Sequence, residues 1–287
     1  MQVTPRVFRC RDREWVCAGE CLVVGVVNVT PDSFSDGGDH VGTEQAVQHG
    51  LDLVAQGAAW LDIGGESTRP GAAAVPAAEE MRRVIPVIRE LRQRTDVVLS
   101  VDTMKAATAR AALAAGAQVI NDVSGLQADP AMAAVLSETG AGCILMHLRG
   151  TPETMRSLTQ YTAVVAEVCD ELAQRLEAAV SRSGLSPEHF MLDPGIGFAK
   201  TADQSLALLA GVARIRELGR PVLVGPSRKS FIGHVLDRPD PRQRVWGTAG
   251  AVAACVLEGA DAVRVHDVRE MSDVVRVCLA IRSAPVD

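Results

Sequence analysis

The chain alternates between short apolar runs and longer stretches in which apolar residues recur every three or four positions. Short continuous runs are typical of buried parallel strands, and the longer spacing is typical of amphipathic helices. Eight strands are predicted, at residues 22–27, 59–63, 97–101, 118–120, 142–146, 190–192, 221–224 and 262–265. They start about 34 residues apart on average, which is the length of one strand, one helix and two loops.

A helix is predicted after each strand, at residues 43–56, 78–94, 105–115, 130–138, 162–183, 203–217, 244–258 and 268–282. Gly57, Gly116, Gly184 and Gly219 follow or end these segments, where a left-handed cap is expected. Eight strand-then-helix units are the number that closes a TIM barrel, so we predict an α/β fold of this type. A doubly wound open sheet is the alternative.

The repeat continues without a Pro-, Gly- or Ser-rich linker, so residues 1–287 are predicted to form a single domain with the barrel at 21–282. Within residues 1–20, segments 7–10 and 14–17 are expected to form a short hairpin that closes the lower end of the barrel.

Composition and charge argue against a membrane protein, a nucleic-acid partner and a secreted protein. Although 47% of the residues are apolar, no run approaches the roughly 18 residues that span a bilayer. The net charge is −6 with no basic block, which argues against nucleic acid. No secretory signal is visible, and seven cysteines without a CxxC pair suit reduced core thiols, so a cytoplasmic protein is expected. A metal site at Cys17 and Cys21 is a weaker alternative.

Polar residues stand at the end of every predicted strand. They are Asn28, Asp62, Asp102, Asn121 with Asp122, His147, Asp193, Ser227 with Arg228 and Lys229, and Arg264 with His266. Any one of them could end a strand or cap a helix. Because the carboxyl ends of barrel strands carry the active site, their presence at all eight ends predicts a site at this face.

These residues divide by charge. The oxygens of Asp102, Asn121 and Asp193 suit a guanidine-like heterocycle that presents several N–H donors. A second group is expected to form a separate cationic corner for phosphate, and it consists of Asn28, Arg69, Arg264 and His266. A nitrogen heterocycle at one end and a phosphate at the other are therefore predicted.

Lysine is rare, because only Lys105, Lys200 and Lys229 are lysine among 29 basic residues. A specific role is therefore expected for Lys229, whose ammonium could reach a carbonyl oxygen and a ring nitrogen together. Its alternative role is a Schiff-base nucleophile with a pKa lowered by Arg228. Two long Gly-rich loops, 30–42 and 64–77, are expected to act as lids, and the first carries Asp36, which could complete a Mg²⁺ site with Asn28 and phosphate oxygens.

Two loops and six shorter motifs resemble those of the dihydropteroate synthases. They are NVTPDSFSDGG at 28–38, DIGGESTRPG at 62–71, SVDT at 100–103, IND at 120–122, LMH at 145–147, LDPGIGF at 192–198, SRKS at 227–230 and RVHD at 264–267. The resemblance extends from about residue 22 to 282. One departure is Pro226, where the family often has another small residue, and it is expected to alter the turn after the seventh strand.

The resemblance implies a cytoplasmic, homodimeric transferase that joins 6-hydroxymethyl-7,8-dihydropterin diphosphate to p-aminobenzoate with Mg²⁺ as cofactor, releases diphosphate and is a sulfonamide target. The catalytic residues it implies are Asp102, Lys229, Arg264 and His266. It assigns the pterin to Asp102, Asn121, Met146, Asp193, Gly225 and Lys229. It assigns the diphosphate to Asn28, Thr68, Arg69, Arg264 and His266, with Mg²⁺ at Asn28 and Asp36. It assigns p-aminobenzoate to Phe34, Ser35, Pro70, Gly197, Phe198 and Ser230.

Three other functions stay open at this point. A pterin-binding barrel that serves methyl transfer would not need the predicted cationic corner. A Schiff-base aldolase would use Lys229 as its nucleophile. An inactive member of the family would keep the motifs without turnover. Diphosphate release that requires p-aminobenzoate separates the synthase from all three.

Overall fold

The structure, a computed structural model, describes residues 6–30, 38–68, 71 and 74–285. Its strands are β1 (Arg6–Cys10), β2 (Arg13–Cys17), β3 (Leu22–Asn28), β4 (Trp60–Gly64), β5 (Val98–Asp102), β6 (Val119–Asp122), β7 (Gly142–Met146), β8 (Phe190–Asp193), β9 (Leu223–Val224) and β10 (Ala262–Val265). Its helices are α1 (Gly38–Ala55), α2 (Ala77–Arg94), α3 (Ala106–Ala115), α4 (Met132–Thr139), α5 (Val164–Ser183), α6 (Ala202–Ala210), α7 (Val212–Arg216), α8 (Ser230–Leu236), α9 (Val245–Leu257) and α10 (Val268–Ser283).

Strands β3 to β10 form one parallel sheet in the order β8-β7-β6-β5-β4-β3-β10-β9. A bridge between Leu192 and Val222 joins the two ends of this order, so the sheet is a nearly closed barrel. Helices lie between successive strands and pack on the outer side of the sheet against residues such as Leu61, Ile63 and Leu99. The TIM barrel prediction is confirmed, and the doubly wound alternative is wrong.

Predicted and observed elements agree closely, with three exceptions. Helix α1 begins at Gly38, so residues 38–42 are helical and do not belong to the predicted loop at 30–42. The helix predicted at 203–217 is divided at Gly211, where a Cβ atom would lie 2.9 Å from Val165 of α5. Helix α8 was not predicted, because its seven residues are too few to show a periodic pattern. The four predicted glycine caps, Gly57, Gly116, Gly184 and Gly219, all have positive φ.

The N-terminal hairpin of β1 and β2 closes the amino end of the barrel, as predicted. Phe8, fully buried, packs with inward-facing strand residues that include Trp60, and the two ring centres are 6.0 Å apart. Trp15 stacks on Trp60 at 6.2 Å. Full burial of each such aromatic side chain contributes about 1.5–3 kcal/mol. We call this end, lined by Phe8, Trp15 and Trp60, the floor of the barrel.

The cysteines are structural. All seven are unpaired and six are buried, in agreement with the prediction of core thiols. Burial raises the pKa of Cys17 and of Cys21 to about 12, so neither is a thiolate at neutral pH. No helix in the described ranges is long and apolar enough to cross a membrane.

Candidate active site at the mouth of the barrel

On five of the eight barrel strands, the inward side chains change from apolar to polar between one inward position and the next. Residues two positions apart on a strand share a face and are separated by about 6.6 Å. The floor residues are followed two positions later by the upper residues in the pairs Trp60 and Asp62, Val98 and Ser100, Val119 and Asn121, Met191 and Asp193, and Ala262 and Arg264. We call the carboxyl end of the barrel, where these upper residues lie, the mouth.

Asp62 is the centre of a buried network in the mouth. Its Oδ2 accepts hydrogen bonds from Arg264 Nε at 2.6 Å and from Asn121 Nδ2 at 2.9 Å. Its Oδ1 accepts a hydrogen bond from the Ser100 hydroxyl, which in turn accepts one from Trp60 Nε1 at 2.8 Å. Asp62 stands at a predicted strand end, but no specific role was predicted for it. Its position two residues after an inward-facing Trp60 was the signal that it also points inward.

Asp102 lies on the other side of Arg264. Its Oδ2 accepts a hydrogen bond from Arg264 Nη2 at 3.0 Å, whereas its buried Oδ1 has no hydrogen-bond partner in the described part of the chain. An unpartnered buried acceptor costs about 1–3 kcal/mol. An N–H donor on a ligand would remove this cost, so Oδ1 is a candidate binding position.

Burial and charge act in opposite directions on this network. Burial raises the pKa of Asp102 to about 7, with a further increase from Asp62, while Arg264 opposes the shift. Burial alone would lower the pKa of Arg264, but Asp62 and Asp102 outweigh it and raise that pKa. The guanidinium therefore stays charged, and Asp102 changes its protonation state near neutral pH.

The predicted separation of acidic and cationic groups is wrong for Arg264. This side chain does not lie in a cationic corner apart from the carboxylates, because Asp62 and Asp102 hold it between them. His266 lies at the end of the same strand, with Nδ1 3.0 Å from Ser227 Oγ and its backbone N–H donating to that oxygen. The residues predicted to bind the heterocycle and those predicted to bind the phosphate therefore meet at Arg264.

Asp193 and Lys229 form the next part of the mouth. Asp193 Oδ1 accepts a hydrogen bond from the Gly195 backbone N–H at 2.7 Å, and burial raises its pKa. Lys229 Nζ donates to the Ile196 carbonyl at 2.8 Å and lies 4.1 Å from the centre of the Phe198 ring. This places an ammonium group beside both a carboxylate and an aromatic face.

The pKa of Lys229 is lowered to about 8, first by burial and then by Arg264, while Asp193 opposes the shift. The prediction that Arg228 lowers this pKa is wrong, because Arg228 is paired with Asp267 at 3.0 Å. The result is an ammonium group that stays mainly charged at neutral pH.

Apolar groups complete the described part of the mouth. Met146 is buried in a small cluster against which Phe198 packs. Gly225 lies beside Arg264, since a Cβ on it would be 3.8 Å from the Arg264 Cβ. Gly197 has φ +78° and approaches Lys229, a conformation that favours glycine. Ser230 is exposed and begins α8.

The remaining predicted residues are less completely placed. Asn28 ends β3 and Thr68 follows β4, and both are half-buried. Five predicted residues lie outside the described residues, namely Phe34, Ser35, Asp36, Arg69 and Pro70. Within the ranges that are described, no three His, Cys, Asp or Glu side chains are grouped as metal ligands.

Known proteins share both sequence and fold with this chain. The family model described as pterin binding enzyme matches residues 24–266. A dihydropteroate synthase of Synechocystis sp. is 48% identical over 259 residues, which are 90% of this chain and 89% of that protein.

Two solved structures extend the comparison. A Xanthomonas albilineans dihydropteroate synthase with 4-aminobenzoic acid superposes with a TM-score of 0.91 at 45% identity, covering 98% of this chain and 100% of that one. A Yersinia pestis dihydropteroate synthase in a sulfonamide drug complex gives 0.90 at 40% identity, covering 97% and 100%. The chain belongs to the pterin binding enzyme family and is one of its dihydropteroate synthases.

Proposed function

We propose that this chain joins 6-hydroxymethyl-7,8-dihydropterin diphosphate to p-aminobenzoate, giving 7,8-dihydropteroate and diphosphate. The C–O bond between the pterin methylene and the diphosphate breaks, a C–N bond to the amine forms, and the amine loses a proton. The single observation that carries the proposal is the buried, unpartnered Asp102 Oδ1 in a mouth that also holds Arg264. It supplies an acceptor for a heterocycle next to a cation for an anion.

The pterin is assigned to the strand ends. Its amino-pyrimidinone edge presents N–H donors, which suit the oxygens of Asp102, Asn121 and Asp193. Lys229 donates to the carbonyl oxygen and ring nitrogen, while Met146 and Gly225 line the faces of the ring. Asp102 also stabilises positive charge on the methylene if the C–O bond breaks before the amine attacks.

The diphosphate is assigned to Asn28, Thr68, Arg69, Arg264 and His266. Negative charge gathers on the leaving diphosphate as the C–O bond breaks, so positioned cations lower the barrier. Arg264 is charged throughout this step, because Asp62 and Asp102 raise its pKa. Closed loops would exclude water, which competes with the amine for the methylene.

The second substrate is assigned to a flatter subsite. Phe34, Ser35, Pro70, Gly197, Phe198 and Ser230 are its residues. The stacking of Lys229 over Phe198 supports a place for an aromatic ring here, and Ser230 at the start of α8 is the partner for its carboxylate. Sulfonamides, which share the aniline ring, are expected to compete for this subsite.

Mg²⁺ is proposed as the cofactor, held by Asn28 and Asp36. Mg²⁺ prefers oxygen ligands and usually keeps waters and substrate phosphates around it. Asn28 fits this preference, but one amide oxygen is not a site by itself, so binding would depend on the substrate's oxygens. When bound, the ion would neutralise charge on the diphosphate.

A homodimer in the cytoplasm is also proposed. Val235, Leu236 and Trp246 are exposed on α8 and α9, and Trp246 is 81% exposed. Exposed apolar side chains on adjoining helices support a protein interface there. Sedimentation would give the mass of two chains if the proposal is right, and of one chain if it is wrong.

Diphosphate release tests the function directly. Release that requires both p-aminobenzoate and Mg²⁺ is the expected result. Pterin binding without release would instead favour the methyl-transfer type of barrel. Trapping of a substrate on Lys229 by borohydride would favour the aldolase.

A further inference from the structure

A chain of polar groups contacts the loop that carries Phe198. His147, which follows β7, is fully buried, and its Nε2 is 3.0 Å from Glu171 Oε2 on α5. Its Nδ1 is 3.0 Å from Lys200 Nζ. Lys200 Nζ also donates to the Phe198 carbonyl oxygen at 2.9 Å. Three side chains thus connect α5 to the backbone of Phe198.

The direction of each hydrogen bond follows from the chemistry of the groups. Burial lowers the pKa of His147 to about 2, so its ring is neutral and carries one N–H. The carboxylate of Glu171 can only accept, which places that proton on Nε2. Nδ1 is then an acceptor, and it accepts from Lys200 Nζ. Burial lowers the pKa of Lys200 to about 7, and its amino group has N–H donors for both His147 and Phe198 whether or not it is protonated. No donor faces another donor along this chain.

The groups behind Lys200 are themselves firmly held. Arg149 Nε donates to Glu171 at 2.9 Å, and its guanidinium lies 3.8 Å from the centre of the Tyr161 ring. Arg175 donates to the carbonyls of Met146 and Leu148, on the two sides of His147. Because each supporting group has several fixed partners, Lys200 Nζ has a defined position.

The loop itself lies directly on His147. Gly195 has φ +66°, and a Cβ there would overlap the carbonyl oxygen of His147. Ala199, between Phe198 and Lys200, also has positive φ, at +50°. Such a backbone is held in place by its surroundings. Lys229 Nζ bonds the loop at the Ile196 carbonyl, and Lys200 Nζ bonds it at the Phe198 carbonyl.

We propose that Lys200 is a positioning residue for the second substrate. Its amino group, supported by His147 and Glu171, fixes the Phe198 carbonyl and thereby the Phe198 ring against p-aminobenzoate. This inference rests on the proposed function. The pterin ligands Asp102 and Asn121 lie on strands. Asp193 and Lys229 bond the loop at Gly195 and Ile196, before the Phe198 carbonyl that Lys200 holds.

The test is Lys200→Met, which keeps the length of the side chain and removes its donors. The KM for p-aminobenzoate should rise about ten-fold or more, while the dissociation constant of the pterin substrate changes less than about two-fold. A general loss of packing would affect both substrates, so the difference between them is the diagnostic readout.

Two further variants keep the inference testable if Lys200→Met folds poorly. In Lys200→Ala, added propylamine should restore p-aminobenzoate KM, because a free alkylammonium can occupy the vacated position. His147→Leu removes the acceptor behind Lys200 and should raise the same KM. The double variant His147→Leu with Lys200→Met should raise this KM by less than the product of the two separate fold-changes, since both residues act on one chain of hydrogen bonds.

Arg182→Met is the matched control. Arg182 also donates to backbone carbonyls of a loop at the mouth, those of Leu126 and Pro130, but that loop carries none of the assigned residues. The KM of Arg182→Met for p-aminobenzoate should stay at the wild-type value. An unchanged KM in Lys200→Met, or an equal rise in Arg182→Met, would overturn the inference. Failure of the wild-type chain to release diphosphate would overturn the proposed function instead.

Discussion

The floor and the mouth of the barrel are built from the same strands but from opposite chemistry. Trp60 and Asp62 are two residues apart on β4, and both point inward. The first packs against the rings of Phe8 and Trp15, whereas the second holds Arg264 and Asn121. Apolar packing gains stability at the floor, and buried charge costs stability at the mouth. The same scaffold therefore separates what holds the fold from what binds ligands.

The largest expected effect at the mouth comes from Arg264→Ala. Removing a positioned cation from the leaving group should lower kcat about 10³-fold, with a smaller loss of pterin affinity. Diphosphate release and equilibrium binding of the pterin measure the two effects.

Asp193→Ala is the counterpart of this variant, because it should chiefly abolish pterin binding. Equal losses of binding and turnover in either variant would contradict the division of roles in the mouth.

Phe8→Ala tests the floor. Loss of a fully buried phenyl ring should lower the free energy of unfolding by about 3 kcal/mol. The folded fraction should keep a kcat near the wild-type value, because Phe8 reaches the mouth network only indirectly, through Trp60, whose Nε1 donates to Ser100. Denaturant unfolding gives the first quantity, and activity per folded molecule gives the second. A fall in kcat per folded molecule would show that the two ends are not independent.

Asp62→Asn sharpens the comparison within the mouth. The amide keeps the shape of the carboxylate but removes the charge that faces Arg264. This should raise the activation free energy of the reaction by about 2 kcal/mol. Turnover should fall about 30-fold, since 1.4 kcal/mol is one factor of ten. Ser100→Ala, which removes only a neutral hydroxyl from the same carboxylate, is the control and should have a smaller effect. A larger loss in Ser100→Ala would refute the central role of the ion pair.

The pH dependence of pterin affinity is the smallest expected effect. Because Oδ2 of Asp102 accepts from Arg264, a proton on this carboxyl group would lie on Oδ1 and replace the acceptor that faces the pterin. The pKa of Asp102 is about 7, so affinity should rise as pH increases through that value. Lys229 donates only when protonated, and its pKa is about 8, so affinity should fall as pH increases further. Titration should give a bell-shaped profile of a few-fold amplitude. A profile that rises without a maximum would exclude Lys229 as a donor.

Much of the fold follows from local pattern. Continuous apolar runs located all eight barrel strands, because each is buried on both faces. Helix α8 escaped because it is short, and the break at Gly211 depends on its contact with α5. Neither feature has a local sequence signal of its own.

The site was predicted in composition but not in arrangement. Strand ends and motifs identified Asp102, Asn121, Asp193 and Arg264, and the structure brings them together in the mouth. The partners of Arg264 could not be read from the sequence, because Asp62 looks like any strand-ending carboxylate. Lys200 was noted only for the rarity of lysine, since its contact with His147 joins positions 53 residues apart.

The closed floor has a consequence for how substrates enter the barrel and products leave it. With Phe8 and Trp60 filling the amino end, whatever arrives through the opposite opening must also depart by it. Both substrates and both products therefore pass through the mouth. With the pterin bound beside Asp193, as proposed, p-aminobenzoate would have to enter after it, so a barrel closed at one end would impose an order on the catalytic cycle.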